Sequence, residues 1–135
     1  MKRGWFGVAA MLVAACTGSG APPPAGSPAP TPIPPFTGPT IELTVVGEAF
    51  SESTLQAPAN ARFRILLDNQ DAYAHAVAIA VGETAADARQ AEPIYEGKFW
   101  SGPGLQAYDI PAMVPGQYWF FCQPHASMNG TLIVE

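Results

Sequence analysis

Three side chains with affinity for soft metal ions stand at even intervals near the end of the chain. They are Cys122, His125 and Met128, in the run Cys122-Gln123-Pro124-His125-Ala126-Ser127-Met128. Brought to one point, they offer a thiolate sulfur, an imidazole nitrogen and a weak thioether sulfur. That set suits a copper ion that changes oxidation state. With a second imidazole it becomes the trigonal His2Cys site with a long axial Met, which serves electron transfer. The loop supplies one imidazole, and the only other histidine in the chain is His75. Taken alone, His75 reads as a surface or capping residue. The missing ligand is what makes it a candidate.

The elements that must position these groups read as strands. Gln117-Tyr118-Trp119-Phe120-Phe121 leads into the loop and Thr131-Leu132-Ile133-Val134 leads out, so the donors sit on a tight connection between two strands. His75 opens a further predicted strand, Ala76 to Val81, in which Val77, Ile79 and Val81 alternate with alanines. If that strand neighbours the Tyr118 strand, His75 and the Cys122 loop share one end of the fold. Ile41, Leu43 and Val45 alternate with Glu42 and Thr44, Phe63, Ile65 and Leu67 follow the same spacing with Arg62 and Arg64 between or beside them, and residues 105–110 form a weaker candidate. Turn signals separate them at Ala57-Pro58-Ala59-Asn60, Asp68-Asn69-Gln70-Asp71, Ser101-Gly102-Pro103-Gly104 and Pro115-Gly116. Short strands at this spacing predict an all-β, antiparallel sandwich over residues 40–135. Residues 83–90 read as a short helix with Thr84 as its cap.

The 135 residues suffice for one small domain, with 48% hydrophobic and 13% charged residues. Lys2 and Arg3 precede an apolar run from Trp5 to Ala15, too short to span a bilayer, which needs about 20 residues, and suited to the core of an export signal. Without Lys2 and Arg3, four basic residues face eleven acidic ones, which argues against nucleic acid as a partner. Val13-Ala14-Ala15-Cys16 resembles the bacterial lipobox, which implies a signal peptide over 1–15 and lipid on Cys16. Thr17 at the next position argues, by the same resemblance, against retention at an inner membrane. Residues 17–39 carry nine of the fifteen prolines and no charge. Residues 16–39 are therefore expected to be a disordered, semi-rigid tether reaching up to about 70 Å in polyproline form. A Cys16–Cys122 disulfide is the plain alternative for two cysteines in an exported protein. Cys16 lies beyond that flexible segment, where a crosslink would constrain little.

The combined pattern resembles the cupredoxins, the plastocyanin and amicyanin family, over about the last 95 residues. The Cys-x2-His-x2-Met spacing resembles the short loop of amicyanin. Gly102-Pro103-Gly104, Tyr108, Pro115-Gly116 and Gly130-Thr131-Leu132 also resemble bacterial members. The resemblance implies a Greek-key sandwich and one type 1 (blue) copper, with His75, Cys122 and His125 as the trigonal set and Met128 as axial ligand. It implies that the edge of His125 approaches the surface among Pro124, Ala126 and Met113, where a redox partner docks. Many cupredoxins carry Asn directly after the first His, tying the two ligand loops together. Here that residue is Ala76, which has only its backbone N–H to give to the Cys122 sulfur. Pro124 has no N–H to offer the thiolate and constrains the turn that aims His125.

Other chemistries fit less well. Zinc accepts Cys and His but favours a fourth strong ligand or a water over Met. A binuclear copper centre needs a second cysteine in the loop, and multicopper oxidases need His-x-His pairs. No catalytic triad, phosphate loop or acid–base carboxylate pair stands out, so the chain is not read as an enzyme. Two functions remain: a one-electron shuttle, and a carrier or buffer that hands copper to another envelope protein. A single cysteine-based loop favours the shuttle. The expected protein is an exported, lipid-anchored monomer at the cell membrane or the periplasmic face of the envelope. Its partners would be respiratory or dehydrogenase redox proteins.

Overall fold

The computed structural model describes residues 32–135, so the expected signal peptide, Cys16 and most of the tether lie outside the described residues. Ten strands and one helix follow in order: β1 (Thr40–Val45), β2 (Thr54–Ala57), β3 (Phe63–Asn69), β4 (Ala74–His75), β5 (Ala78–Ala80), α1 (Ala85–Gln90), β6 (Tyr95–Glu96), β7 (Trp100–Ser101), β8 (Gly104–Ile110), β9 (Gly116–Phe121) and β10 (Asn129–Val134). One sheet has the order β1-β3-β8, and the other β2-β10-β9-β5-β6, while β4 and β7 pair apart from both. The alternation of apolar side chains sends Leu43, Val45, Ile65, Leu67 and Ile110 from the first sheet against Leu55, Phe120, Leu132 and Val134 from the second.

The sandwich predicted from the sequence is present, but it is not wholly antiparallel. β1 runs parallel to β3 and β2 parallel to β10. The two strands concerned lie at sheet edges and are joined to their partners by crossovers between the sheets. β2 escapes a reading by alternation because it is only four residues long, with Leu55 and Ala57 alone facing inward. The packed chain also starts before Thr40. The Arg64 guanidinium holds the Pro34 carbonyl at 2.8 Å and covers the Phe36 ring at 4.5 Å, while its backbone N–H bonds the Pro39 carbonyl. On its other side Arg64 bonds Asp109 at 2.6 Å.

The strand predicted from Ala76 to Val81 is divided. His75 belongs to β4 and pairs with Trp100, and β5 spans only Ala78–Ala80. Val81 is 52% exposed, whereas Ala76, Ala78 and Ala80 are buried. This segment is covered on both faces. Val77 and Ile79 enter the sandwich core, and the methyl groups of Ala78 and Ala80 lie with Phe121 against Ala88 of α1. Alanine is small enough to let a helix approach the sheet there, so the residues that look like the polar face are a second core.

α1 begins at the expected Thr84 cap. The Thr84 side chain accepts from the Asp87 N–H, and the Asp87 carboxylate accepts from the Thr84 N–H, a reciprocal pair that satisfies two otherwise orphan donors. A six-residue helix has little stability of its own. Here it is held by that cap and by the packing of Ala88. Gly130 shows how tight the second sheet is around the ligand loop. A Cβ on it would stand 2.6 Å from the Ser53 carbonyl oxygen and overlap the ring of Phe120 opposite. Gly130→Ala should therefore lower the stability of the metal-free protein by about 1–3 kcal/mol, read as a shifted urea midpoint.

Candidate metal centre

β9 ends at Phe121, and the loop turns back through Pro124 before β10 starts at Asn129. Three backbone bonds close this loop on itself: Cys122 N–H to the Met128 carbonyl at 3.0 Å, His125 N–H to Cys122 at 3.3 Å and Met128 N–H to His125 at 3.0 Å. His75 arrives from β4. The register of β5 against β9, Ala78 opposite Phe121, carries it to the same end of the sandwich as Cys122.

One donor atom from each of His75, Cys122 and His125 lies within 4.8 Å of the others. Cys122 Sγ is 3.9 Å from His75 Nδ1 and 3.5 Å from His125 Nδ1. A nitrogen about 2.0 Å and a sulfur about 2.3 Å from one ion, at roughly 120°, are about 3.7 Å apart. The donor spacing therefore fits a single first-row metal ion between them. Cys122 and His75 are fully buried, as is Met128, whose side chain belongs to the same apolar cluster as Cys122.

The outer nitrogens of both rings face carboxylates. His75 Nε2 lies 3.2 Å from Asp71 Oδ2, and His125 Nε2 lies 3.8 Å from Glu48 Oε1. With its Nε2 proton given to Asp71, His75 presents the Nδ1 lone pair to the site. Asp71 is itself held. Residues 46–49 form a turn with Gly47 at φ 60° and Glu48 at φ 58°, the left-handed pair that a type I′ turn requires. The turn aims the N–H groups of Gly47 and Glu48 at the Asp71 carboxylate, at 2.9 and 3.1 Å. Those two bonds, before the His75 ring, keep the Asp71 carboxyl below the usual range. Asn69, fully buried, accepts from the Asp71 N–H and donates to the Tyr73 and Trp100 carbonyls, which sets the course of the chain into His75.

The Cys122 thiol is pushed up by burial. The nearby N–H groups of Ala76 and His125 and the charge of Arg89 oppose that shift. Arg89 is a residue that sequence reasoning missed. Its guanidinium donates to the carbonyls of Cys122 at 2.6 Å, Met128 at 2.8 Å and His125 at 2.9 Å, with longer contacts to Ala126 and Gln123. Asp71 and Asn69 were also missed, although the Asn69-Gln70-Asp71 turn was visible. Nothing local in sequence marks Arg89.

Pro124 and Ala126 are exposed beside His125, whose side chain is 20% exposed. Met113 is not part of that rim. It is buried at the opposite end of the sandwich, before β9 begins, and its carbonyl accepts from the Asn60 N–H. Six residues of β9 separate it from Cys122, so the expectation that it joins the docking surface fails. The acidic Glu48 stands at the rim instead.

Residues 44–135 match the family described as copper binding proteins, plastocyanin/azurin family. The chain belongs to that family. Its cofactor is accordingly one copper ion, and the donors brought together by the fold fit it. Among solved structures, auracyanin from the photosynthetic bacterium Roseiflexus castenholzii has a TM-score of 0.62 at 19% identity, covering 74% of this chain and 99% of its own. Auracyanin A, a "blue" copper protein from Chloroflexus aurantiacus, has a TM-score of 0.61 at 24% identity, covering 73% and 100%. An oxidized amicyanin variant reaches a TM-score of 0.51 at 21% identity, covering 70% and 81%. These likenesses establish the cupredoxin fold. No curated protein is significantly similar to the chain in sequence.

Because burial keeps Cys122 a thiol in the metal-free protein at neutral pH, copper must displace one proton. Raising the pH below the thiol's own pKa favours uptake, and lowering it favours release. The apparent Cu(II) affinity should rise about tenfold per unit between pH 7 and pH 8, with one proton released per ion. Competition titration in weakly binding buffers checks this.

Proposed function

We propose that this protein is a one-electron carrier whose copper would be held by His75, Cys122 and His125, with Met128 as a fourth, weaker donor. The observation that supports it best is the convergence of a buried sulfur and two ring nitrogens at the spacing one ion spans. Copper bound there supplies a Cu(II)/Cu(I) couple that gains and loses one electron.

The residues of the chain do the rest. Asp71 orients the His75 ring by accepting at its Nε2, the arrangement in which the Nδ1 side of the ring faces the site. The apolar cluster around Cys122 and Met128 excludes water from the sulfur side. Donors fixed by a packed scaffold have little freedom to rearrange when the charge at the site changes. His125 alone reaches the surface, between Pro124 and Ala126, and is the edge through which an electron enters or leaves. A redox partner, a respiratory or dehydrogenase component, would dock over that rim. With Glu48 beside His125, the partner's matching surface would be neutral or basic. The chain makes and breaks no substrate bonds in this role.

Placement at the envelope rests on the sequence: export by residues 1–15, lipid on Cys16 and reach from the Pro-rich tether. No helix among the described residues is long and apolar enough to cross a membrane.

The protein with Cu(II) should show an intense visible thiolate-to-copper band that bleaches with a mild reductant and returns on oxidation with copper retained. Cys122→Ala should abolish the band, and His75→Ala should shift or remove it. Prompt loss of the ion to a weak chelator during cycling would favour the copper carrier, and persistence of the band without Cys122 would sink both readings.

A further inference from the structure

The three carbonyls that Arg89 grips most closely belong to Cys122, His125 and Met128, the loop's own candidate ligands. The same three carbonyls accept the N–H groups that close the loop. A carbonyl oxygen has two acceptor positions. In each of these residues one is used within the loop and the other by the guanidinium. Arg89 is therefore the common partner of a ring of three backbone bonds. Its planar fork can reach several carbonyls at once, which a lysine ammonium on a flexible stem does less well.

The stem of Arg89 is restrained from the other side. Ala88, next to it, is fully buried under the sheet, the Thr84–Asp87 cap fixes the helix start, and the guanidinium lies 4.9 Å from the centre of the Phe121 ring. Phe121 directly precedes Cys122. Arg89 has no carboxylate partner among the described residues, where the ion pairs are formed by Arg64, His75 and His125. Its charge is therefore left to act on the metal centre. A fixed positive charge favours whichever state of a neighbouring site carries one electron more.

We propose that Arg89 is a positioning residue of the copper centre: its fork holds the ligand loop in one backbone arrangement, and its unneutralised charge favours Cu(I) over Cu(II). The proposal rests on the copper reading above for its redox half, while the loop half concerns the metal-free chain as well.

The test uses the full chain and Arg89→Gln, which removes the charge and most of the fork. In metal-free protein, hydrogen exchange at the Cys122, His125 and Met128 amides should lose protection while β3 and β9 keep theirs. In copper-loaded protein, the midpoint potential measured at an electrode should fall. A tenfold loss of preference for Cu(I) corresponds to about 59 mV for one electron. Loss of Cu(II) to EDTA should become several-fold faster. A folded Arg89→Gln protein with wild-type protection at those three amides, or with a potential at or above wild type, overturns the proposal. If Arg89→Gln does not fold, Arg89→Lys is read in its place. It should hold the potential near wild type but still lose loop protection and release copper faster, and wild-type behaviour in both overturns the proposal. Failure of the copper reading is distinct: wild type itself would then develop no thiolate-to-copper band, and the amide measurements alone would decide the role of Arg89.

Discussion

The pairing of β5 with β9 is the constraint on which the site depends. Ala78, Ile79 and Ala80 lie opposite Phe121, Phe120 and Trp119, and the strands run in opposite directions. Following β5 backward and β9 forward therefore leads to one end of one sheet, where His75 and Cys122 emerge side by side. A slip of one residue would turn Val77 and Ile79 out of the core and move His75 away from the sulfur. The register is held by burial on both faces, with the sandwich on one and α1 on the other. The helix is small, but it covers the alanines and places Arg89 under the ligand loop.

Around the donors, the protein separates holding from contact. His75 is sealed in and tied through Asp71 to the turn at Gly47 and Glu48. Glu48 accepts a left-handed backbone there, which costs a non-glycine residue of order 1 kcal/mol, and the turn so formed offers two N–H groups to one carboxylate. His125, by contrast, keeps an edge at the surface. The buried imidazole lies inside, and the accessible one sits on a loop that is itself braced from beneath. Ala76 has no side chain with which to join the two ligand segments. The loop carbonyls are gathered instead by Arg89.

Much of this was legible in the sequence, for physical reasons. β1 and the start of β3 could be read because apolar inward residues alternate there with polar ones, and β9 and β10 because aromatic and β-branched runs flank the ligand loop. The spacing of Cys122, His125 and Met128 could be read because a tight loop keeps near neighbours near. Thr84 was readable as a cap because its partner, Asp87, lies three residues on. Two-residue strands such as β4 and β7 left no pattern, and the alanines of β5 concealed a second buried face. Met113 was misplaced because only the family resemblance put it at the rim, whereas in this chain it is buried ahead of β9, at the end of that strand away from Cys122.

By itself, then, the sequence determined the donor types, the local loop and an all-β architecture, since each follows from interactions within a few residues or from simple alternation. Only the tertiary structure decided that His75 reaches the sulfur, that Asp71 faces its far nitrogen and that Arg89 closes on the loop from more than thirty positions away. Those contacts depend on sheet register and on the height at which a helix crosses a sheet. Both are set by the packing of the whole core, and no short stretch of chain contains them.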